Sequence, residues 1–471
     1  MRYYSTKKPG QAFSFAEAVL SGLAPDGGLF VPQVIPCYRE NVKNSLSSMS
    51  FLEIAFETIK PFVDGEITGP VLEELCKEAF SFSAPLVPVN PDLKEPFSEP
   101  VLMELFHGPT AAFKDFGARF MARTFSFLRR GEDRPIHILV ATSGDTGGAV
   151  ADGFFGVEGI SVTILYPKGR VSELQEKQIA GLGGNISALA VEGSFDDCQA
   201  LVKNAFTDKS LQEQLTLSSA NSINISRLLP QAVYYSAVAG KAQSNCCDND
   251  GEATPRANSA QNLDIKETAQ PSGNNRPVTF CVPSGNFGNL TAGLYALSMG
   301  APVAGFIAAT NINKTVPDYL ESGEYKTRIS QATISNAMDV GAPSNFERMA
   351  SHWSYAQLRQ MIQGVFVTDS ETRQAIKDVY QNHGYYLDPH GAVGWAAVQK
   401  LKTAVSGNTV DADKIIIAAT AHPAKFSETV ECITGAVPIP STIEKALGRT
   451  AQSRTIPVDI TALRDFLLNA G

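Results

Sequence analysis

The 471-residue sequence contains no uninterrupted apolar run of the roughly 20 residues that a membrane-spanning helix needs. Its first residues, MRYYSTKKPGQAFSF, lack the apolar core of a secretory signal and have little of the Arg-rich amphipathic character of a transit peptide. We therefore expect a cytoplasmic protein that does not associate with a membrane.

The sequence also lacks the cysteine spacing of a disulfide framework. Its seven cysteines are scattered and form no CxxC pair, and Cys246 and Cys247 are too close together to bridge easily. Reduced thiols in a cytosolic compartment are the simplest account of this pattern. We predict no metal site.

Long basic segments are absent as well. The formal net charge is −9 and no block of Lys and Arg has a useful length, which argues against nucleic acid as the main partner. Hydrophobic residues make up 44% of the chain and charged residues 18%, as in ordinary globular proteins of two or three domains. Local positive sites for small anions remain compatible with this composition.

What the sequence does have is a regular alternation of short apolar runs and helical patterns. This alternation predicts parallel sheets covered by helices on both faces, the doubly wound α/β class, preceded by a mainly helical N-terminal subdomain. The predicted strands are 137–142, 161–167, 186–193, 278–284, 304–310 and 414–420. The predicted helices lie near 13–22, 50–60, 68–80, 172–181, 196–206, 222–239 and 290–299.

One segment, 241–277, interrupts this pattern. It is rich in Asn, Ser, Asp, Gln and Gly and is nearly devoid of apolar residues. Such a composition cannot bury enough surface to offset its ordering entropy. We predict a partly disordered surface insertion that lies away from the core.

Lys114 stands in an unusual context for a lysine. It follows Ala111, Ala112 and Phe113, just after a Gly108-Pro109 turn signal. Desolvation by apolar neighbours favours the neutral amine, which can attack an aldehyde and form the Schiff base that pyridoxal phosphate chemistry requires. Taken alone, Lys114 is better explained as a solvent-exposed lysine at the start of an amphipathic helix.

Two further segments each follow a predicted strand and precede a helix. In TSGDTGGA, 142–149, and in SGNFGN, 284–289, small residues leave backbone N–H groups free to bind an anion at a helix N-terminus. A capped turn, with Thr142 or Ser143 as N-cap, explains the first segment equally well. The carboxyl edge of a parallel sheet is where such folds bind ligands, which favours the binding interpretation.

Two other segments offer polar side chains at positions suited to a ligand. In NSINISR, 221–227, Arg227 can present a bidentate fork to a phosphate or carboxylate, with Asn221 and Ser222 beside it. Thr420 ends the last predicted strand, where its hydroxyl can meet a pyridine nitrogen. A helix N-cap with a surface arginine is the plainer explanation of 221–227, and a polar strand end explains Thr420 equally well.

Taken together, these segments resemble the threonine synthases, pyridoxal-phosphate enzymes of fold type II, in the branch with a long N-terminal domain. The resemblance covers most of the chain. It includes GLAPDGGLFVP (22–32), ELFHGPTAAFKDFGARF (104–120), ATSGDTGGAVA, ILYPKGRVSELQEKQ, ANSINISRLLPQ, VPSGNFGNLTAG, FIAATNINKTVP, ISNAMDV and TAHPAKF (420–426). The chain departs from the family in its longer 241–277 insertion, in Asn289 where relatives often have Asp, and in Gly391.

The resemblance implies a division into three parts. These are an N-terminal subdomain at 1–97, a large domain that binds pyridoxal phosphate at 98–112 and 231–471, and a small α/β domain at 113–230. A monomer or homodimer is expected.

The resemblance also implies a role for each candidate residue. Lys114 is the expected Schiff-base lysine and proton shuttle. The expected phosphate cradle of the cofactor is Gly285, Asn286, Phe287, Gly288 and Asn289, with Thr420 at the pyridine nitrogen. The substrate carboxylate is expected at Thr142, Ser143, Asp145 and Thr146, and the substrate phosphate at Asn221, Ser222 and Arg227.

The implied reaction converts O-phospho-L-homoserine and water into L-threonine and phosphate, the last step of threonine biosynthesis. Three separate candidate sites for anions agree with a substrate that has both a carboxylate and a phosphate. Two alternatives stay open: a phospho-lyase that releases 2-oxobutyrate, and a non-catalytic paralogue that binds the cofactor.

Overall fold

The structure is a computed structural model that describes residues 1–93, 97–130, 135–243, 277–404 and 414–469. Its strands are β1 (Tyr3–Ser5), β2 (Phe30–Pro32), β3 (Leu86–Pro88), β4 (Val101–Glu104), β5 (Ile136–Ala141), β6 (Ile160–Pro167), β7 (Ile186–Val191), β8 (Thr216–Ser219), β9 (Val278–Pro283), β10 (Val303–Thr310), β11 (Ile362–Phe366), β12 (Ile415–Ala419) and β13 (Arg454–Ile456).

The helices that precede β9 are α1 (Phe15–Ser21), α2 (Glu40–Ser45), α3 (Phe51–Val63), α4 (Gly69–Ala79), α5 (Lys114–Leu128), α6 (Asp145–Phe154), α7 (Glu173–Ala180), α8 (Phe195–Thr207), α9 (Lys209–Gln214), α10 (Ile225–Leu228) and α11 (Gln231–Gln243). Those that follow are α12 (Gly288–Met299), α13 (Thr315–Ser322), α14 (Phe346–His352), α15 (Tyr355–Met361), α16 (Asp369–His383), α17 (Pro389–Ala404), α18 (Ser427–Thr434), α19 (Ser441–Leu447) and α20 (Ile460–Asn469). Short 3-10 turns lie at Asn336–Met338 and Pro423–Phe426.

Two sheets form the body of the molecule. The large sheet has the order β11-β10-β9-β12-β4-β3, and the small sheet has the order β13-β7-β6-β5-β8. All neighbouring pairs in both sheets are parallel except β3 with β4. The central strands β5, β9 and β12 are buried at every residue, as expected for parallel strands with helices on both faces. The predicted fold class is confirmed.

The N-terminal region is mainly helical. Its two strands, β1 and β2, pair with each other in an antiparallel arrangement. Helices α1 and α3 begin at capping boxes, in which Ser14 and Ser50 accept from backbone N–H groups of Glu17 and Glu53 and the glutamates bond back to the serine N–H groups. The apolar faces of these helices then join the main core cluster, which contains Phe15, Ile54 and many residues of both sheets.

The predicted strands agree with the observed ones to within a residue or two, but the predicted helix 222–239 was wrong. The chain forms α10 and then α11, with Leu229 and Pro230 between them. Proline has no N–H to donate and its ring excludes the preceding turn, so a single helix cannot run through this position. The short strands β3, β4, β8, β11 and β13 were not predicted.

The domain boundaries stay a prediction, and two short strands pair across them. Strand β3, within 1–97, belongs to the large sheet, and β13, within 231–471, belongs to the small sheet. Of the predicted 241–277 insertion, 241–243 continue α11, and 244–276 lie outside the described residues. Among the described helices, none combines the length and apolar character that a membrane crossing requires.

Candidate active site

A cavity of about 370 Å³ lies where the carboxyl ends of both sheets meet. Ala141, at the end of β5, and Pro283, at the end of β9, both line it. Every candidate site residue predicted from the sequence also lines this cavity: Lys114, Thr142, Ser143, Asp145, Thr146, Asn221, Ser222, Arg227, Gly285, Asn286, Phe287, Gly288, Asn289 and Thr420. Segments that are far apart in the sequence therefore form one site.

Lys114 is the first residue of α5, and the segment before it is bound to the end of β12. The Phe113 N–H donates to the Thr420 carbonyl oxygen over 2.8 Å, and the His422 N–H donates to the Ala111 carbonyl oxygen over 3.0 Å. Ala111 has φ 54°, in the left-handed region that non-glycine residues rarely adopt. This fixed, strained turn places the Lys114 side chain in the cavity wall.

The charge on Lys114 is set by opposing influences. Burial lowers the pKa of the Lys114 ammonium, Asp145 opposes this, and the nearby cations Lys425 and Arg227 lower the pKa further. The Lys114 Nζ atom lies 3.6 Å from Asp145 Oδ2, which is a long contact for an ion pair. The net effect is a pKa below the usual value, so more of the amine is neutral than in an exposed lysine.

The Asp145 carboxylate is held by a second lysine that the sequence analysis did not select. Lys425 Nζ lies 2.9 Å from Asp145 Oδ1, and the Gln175 side-chain amide donates to the same oxygen over 3.0 Å. Burial alone would raise the pKa of Asp145, but Lys425 and then Lys114 lower it well below its usual range. Asp145 is therefore an anion in the folded protein.

The junction between β5 and α6 exposes a helix N-terminus to the cavity. Gly144 is the N-cap residue with φ 138°, and a Cβ there would lie 2.4 Å from the Gln175 side-chain amide. The alternative with Thr142 or Ser143 as N-cap was therefore wrong, because Gly144 occupies that position. The Thr142 hydroxyl nevertheless accepts from the N–H groups of both Gly144 and Gly147, each over 2.9 Å.

The glycine loop between β9 and α12 approaches the cavity closely. A Cβ on Gly285 would lie 2.8 Å from the Ala337 carbonyl oxygen, so only glycine fits there. Phe287 has φ 59°, which turns the chain sharply into the first turn of α12. The first N–H groups of a helix have no intrahelical acceptor, and together with the loop they form an anion site.

Asn289 adds a side-chain donor to this loop. Its Oδ1 accepts from the hydroxyls of Tyr234 and Tyr235, over 2.5 and 2.8 Å, which fixes the orientation of the amide. Its Nδ2 is buried and has no hydrogen-bond partner within the described part of the chain. A buried donor without a partner is costly unless a ligand satisfies it. The amide side chain of Asn289 thus supplies a donor for a ligand.

Arg227 lies on α10 and is 2% exposed. Its Nη1 donates to the Ala220 carbonyl oxygen, and its Nε has no partner among the described residues. Burial lowers the pKa of Arg227 to about 10, with Asp115 acting in the opposite direction, so the guanidinium is still charged at neutral pH. A buried cation with an unsatisfied donor suits an anionic ligand.

A second buried arginine holds the 221–227 segment in place. Arg348 donates to the carbonyl oxygens of Phe30, Ser222 and Ile223, and so joins the N-terminal region to the site. The Asn286 side-chain amide donates to the Ser222 hydroxyl over 2.6 Å, which connects this segment with the glycine loop. No local sequence pattern marks Arg348, because its partners come from distant parts of the chain.

His390 is a further cavity residue that sequence reasoning missed. Its Nδ1 lies 2.7 Å from Asp388 Oδ2, and its Nε2 is buried with no partner among the described residues. The Gly391 N–H donates to Asp388 Oδ1 over 3.0 Å, and a Cβ on Gly391 would lie 2.8 Å from that oxygen. Glycine at 391 therefore gives Asp388 room at the start of α17.

These features fit pyridoxal phosphate. Lys114 supplies an amine with a lowered pKa, and Asn289 Nδ2, beside the glycine loop, supplies an unsatisfied donor for a phosphate. Thr420 lines the same cavity and is 6% exposed, so its hydroxyl is available to a ring nitrogen inside the site. The cavity volume lies within the usual range for small-molecule sites.

Comparison with protein families gives three matches. Residues 2–80 match the model described as threonine synthase N terminus, and residues 248–419 match the model of pyridoxal-phosphate dependent enzymes. Residues 391–467 match the model described as threonine synthase, C-terminal.

Individual relatives match the chain from end to end. Threonine synthases of Haemophilus influenzae and Escherichia coli are 41% and 40% identical to it, and each alignment covers 100% of both chains. The crystal structure of threonine synthase from Escherichia coli superposes with a TM-score of 0.84 at 38% identity, covering 100% of both chains. That of threonine synthase with bound pyridoxal phosphate from Brucella melitensis gives 0.84 at 32% identity, covering 100% of this chain and 99% of the other. The chain belongs to the threonine synthase family.

Proposed function

We propose that the protein converts O-phospho-L-homoserine and water into L-threonine and phosphate, with pyridoxal phosphate as its cofactor. The observation that carries this proposal is Lys114, a lysine with a lowered pKa in a cavity that offers donors to several anions. The end-to-end similarity to threonine synthases supports the same conclusion.

The large-sheet wall, which we define as Ser284–Asn289 and Thr420, would hold the cofactor. Backbone N–H groups of the glycine loop and Asn289 Nδ2 would bind its phosphate, and the Thr420 hydroxyl would face its ring nitrogen. When bound, the cofactor would supply an electron sink that acidifies hydrogens near the substrate amine.

The small-sheet wall, defined as 142–146 and 221–227, would hold the substrate. N–H groups at the start of α6 would bind its carboxylate, and Arg227 its phosphate. The Asp145 side chain is an anion paired with two lysines, so Asp145 would contribute to carboxylate binding through its backbone alone. Asn221 is committed to β5, because its Nδ2 donates to the Ala141 carbonyl oxygen over 2.7 Å.

Lys114 Nζ would act as the proton carrier. In its neutral form it would take the proton from the substrate α-carbon and leave the electron pair of that C–H bond on the substrate, and the fixed turn at Ala111–Phe113 holds the amine in the cavity wall. Asp145, 3.6 Å away, stabilises the ammonium that results. The largely buried side chain, 15% exposed, limits proton loss to solvent.

Product analysis tests this proposal directly. The purified protein, loaded with cofactor and incubated with O-phospho-L-homoserine, should release L-threonine and phosphate in equal amounts. Release of phosphate with 2-oxobutyrate would identify a phospho-lyase instead. Binding of cofactor without release of phosphate would identify a non-catalytic relative.

The setting of the reaction is part of the proposal. We place the protein in the cytoplasm as a monomer or homodimer, with no nucleic-acid partner, on the basis of its net charge of −9 and its scattered cysteines. Sedimentation of the purified protein distinguishes the two oligomeric states.

A further inference from the structure

Lys425 is a buried lysine behind the cavity wall, and none of the roles proposed above uses it. It lies in the 3-10 turn Pro423–Phe426, and its side chain is fully buried. Its Nζ donates to the Thr110 carbonyl oxygen over 2.7 Å and contacts Asp145 Oδ1 over 2.9 Å. Lysine is almost never buried to this extent without a partner, so these two contacts are what keep the ammonium there.

The Asp145 carboxylate divides its two oxygens unequally between the two lysines. Oδ1 receives the short contacts, from Lys425 at 2.9 Å and from the Gln175 amide at 3.0 Å. Oδ2 faces Lys114 at 3.6 Å. Because the strong contacts are all on one oxygen, Lys425 and Gln175 determine where the carboxylate lies, and Lys114 receives only a weak contact.

We propose that Lys425 is a positioning residue, which holds the Asp145 carboxylate back from Lys114 and so keeps the Lys114 amine available as a nucleophile and proton carrier. The proposal rests on the proposed function, because it takes Lys114 as the lysine that binds the cofactor. Without Lys425, the freed Asp145 charge would form a close ion pair with Lys114 and keep it as an ammonium.

The charges around Lys114 agree with this role. Asp145 faces it from α6, Lys425 from the 3-10 turn and Arg227 from α10. His390 on α17 also lowers the pKa of Asp145, and Lys425 lowers the pKa of Asp115 on α5. Lys425 therefore lowers the pKa of Lys114 in two ways. Its own positive charge disfavours the ammonium, and it neutralises Asp145, which would otherwise favour the ammonium.

A spectroscopic titration of the cofactor-loaded enzyme tests the proposal without using its activity. The Schiff base on Lys114 absorbs differently when its nitrogen gains a proton, so the midpoint of the absorbance change reports proton affinity at this atom. In Lys425→Met, which keeps the side-chain length and removes the charge, the midpoint should rise by about one pH unit or more. In Asp145→Asn it should move in the opposite direction.

Two further variants make the result specific. Lys425→Arg restores the charge and should return the midpoint most of the way to that of the wild type. Lys414→Met removes another buried lysine, whose Nζ donates to the Ala242 carbonyl oxygen, and should leave the midpoint unchanged. If Lys425→Met does not fold, Lys425→Gln takes its place in the same comparison.

The outcomes separate this proposal from the proposed function. If borohydride fixes the cofactor on Lys114 and the midpoint is equal in wild type and Lys425→Met, the positioning role is overturned and the proposed function is unaffected. If the cofactor is fixed on another lysine, both are overturned. Opposite shifts in Lys425→Met and Asp145→Asn, with rescue by arginine, support the positioning role, since a general structural disturbance would not change sign.

Discussion

The two walls of the cavity offer anions different kinds of donor. The large-sheet wall relies on neutral groups, namely the backbone of the Gly285–Asn289 loop, the Asn289 amide and the Thr420 hydroxyl. The small-sheet wall relies on charge, with the buried Arg227 guanidinium beside a helix N-terminus. Within this wall, Asp145 is paired with two lysines.

This difference determines which substitutions should abolish binding at each wall. A backbone cradle loses its shape when a side chain is added, because the loop leaves no space for one. A charged wall loses its function when one side chain is neutralised, while the backbone stays in place. Cofactor binding and substrate binding should therefore respond to different classes of substitution.

The largest effect is expected at Lys114, which serves both walls. Lys114→Ala should fold, still bind the cofactor weakly through the large-sheet wall, and lose at least about a thousandfold in turnover. Mass spectrometry after borohydride treatment should find no fixed cofactor in the variant and an adduct on Lys114 in the wild type. Turnover close to that of the wild type would remove Lys114 from the mechanism.

The next effect is expected in the large-sheet wall. Gly285→Ala places a Cβ 2.8 Å from the Ala337 carbonyl oxygen, so the loop must shift at a cost of roughly 1–3 kcal/mol. The dissociation constant of pyridoxal phosphate should rise at least tenfold, while the KM for substrate at saturating cofactor changes little. Gly10→Ala is the control, since a Cβ there meets nothing within 4 Å. Equal cofactor affinity in both variants would exclude the loop as the phosphate cradle.

The small-sheet wall is tested by Arg227. A charge-assisted hydrogen bond contributes roughly 1.5–3 kcal/mol, so Arg227→Gln should lower kcat/KM for O-phospho-L-homoserine at least tenfold. The affinity for the cofactor should stay unchanged, because the other wall holds the cofactor. Arg227→Lys should recover only part of the loss, since an ammonium lacks the fork. Loss of cofactor binding with an unchanged KM would mean that the two phosphate sites are exchanged.

The sequence predicted the site better than it predicted the parts that support it. Strand–glycine–helix junctions are local patterns, and the carboxyl edge of a parallel sheet brings them together, so residues of both 142–149 and 284–289 line one cavity. Arg348 and the short strand β13 act through partners far away in the sequence, which no local pattern records.

Lys425 was not predicted as a site residue, and the reason differs from that for Arg348. It follows Pro423 and Ala424 and precedes Phe426, an apolar context much like the one that drew attention to Lys114. The same argument from desolvation therefore applied to it, but only the distances to Asp145 and Thr110 show that it is paired. His390 and Asp388 lie two residues apart at a helix start, which predicts a cap, and the unsatisfied Nε2 is known only from the structure.

The smallest effect on substrate binding is expected from the substitution Asp339→Asn. This variant tests whether the large-sheet side of the cavity stays neutral. Asp339 lines the cavity, and burial raises its pKa to about 6, although bonds from Thr333 and Asn311 oppose this. It is uncharged below that pH and becomes an anion above it, so it should weaken binding of an anionic substrate as the pH rises.

The substrate phosphate also titrates near pH 6, but equally for wild type and Asp339→Asn. The KM of the wild type divided by that of Asp339→Asn should therefore be close to one at pH 5 and rise to about two- to fivefold at pH 7.5. A ratio that does not change with pH would show that the charge of Asp339 does not reach the substrate.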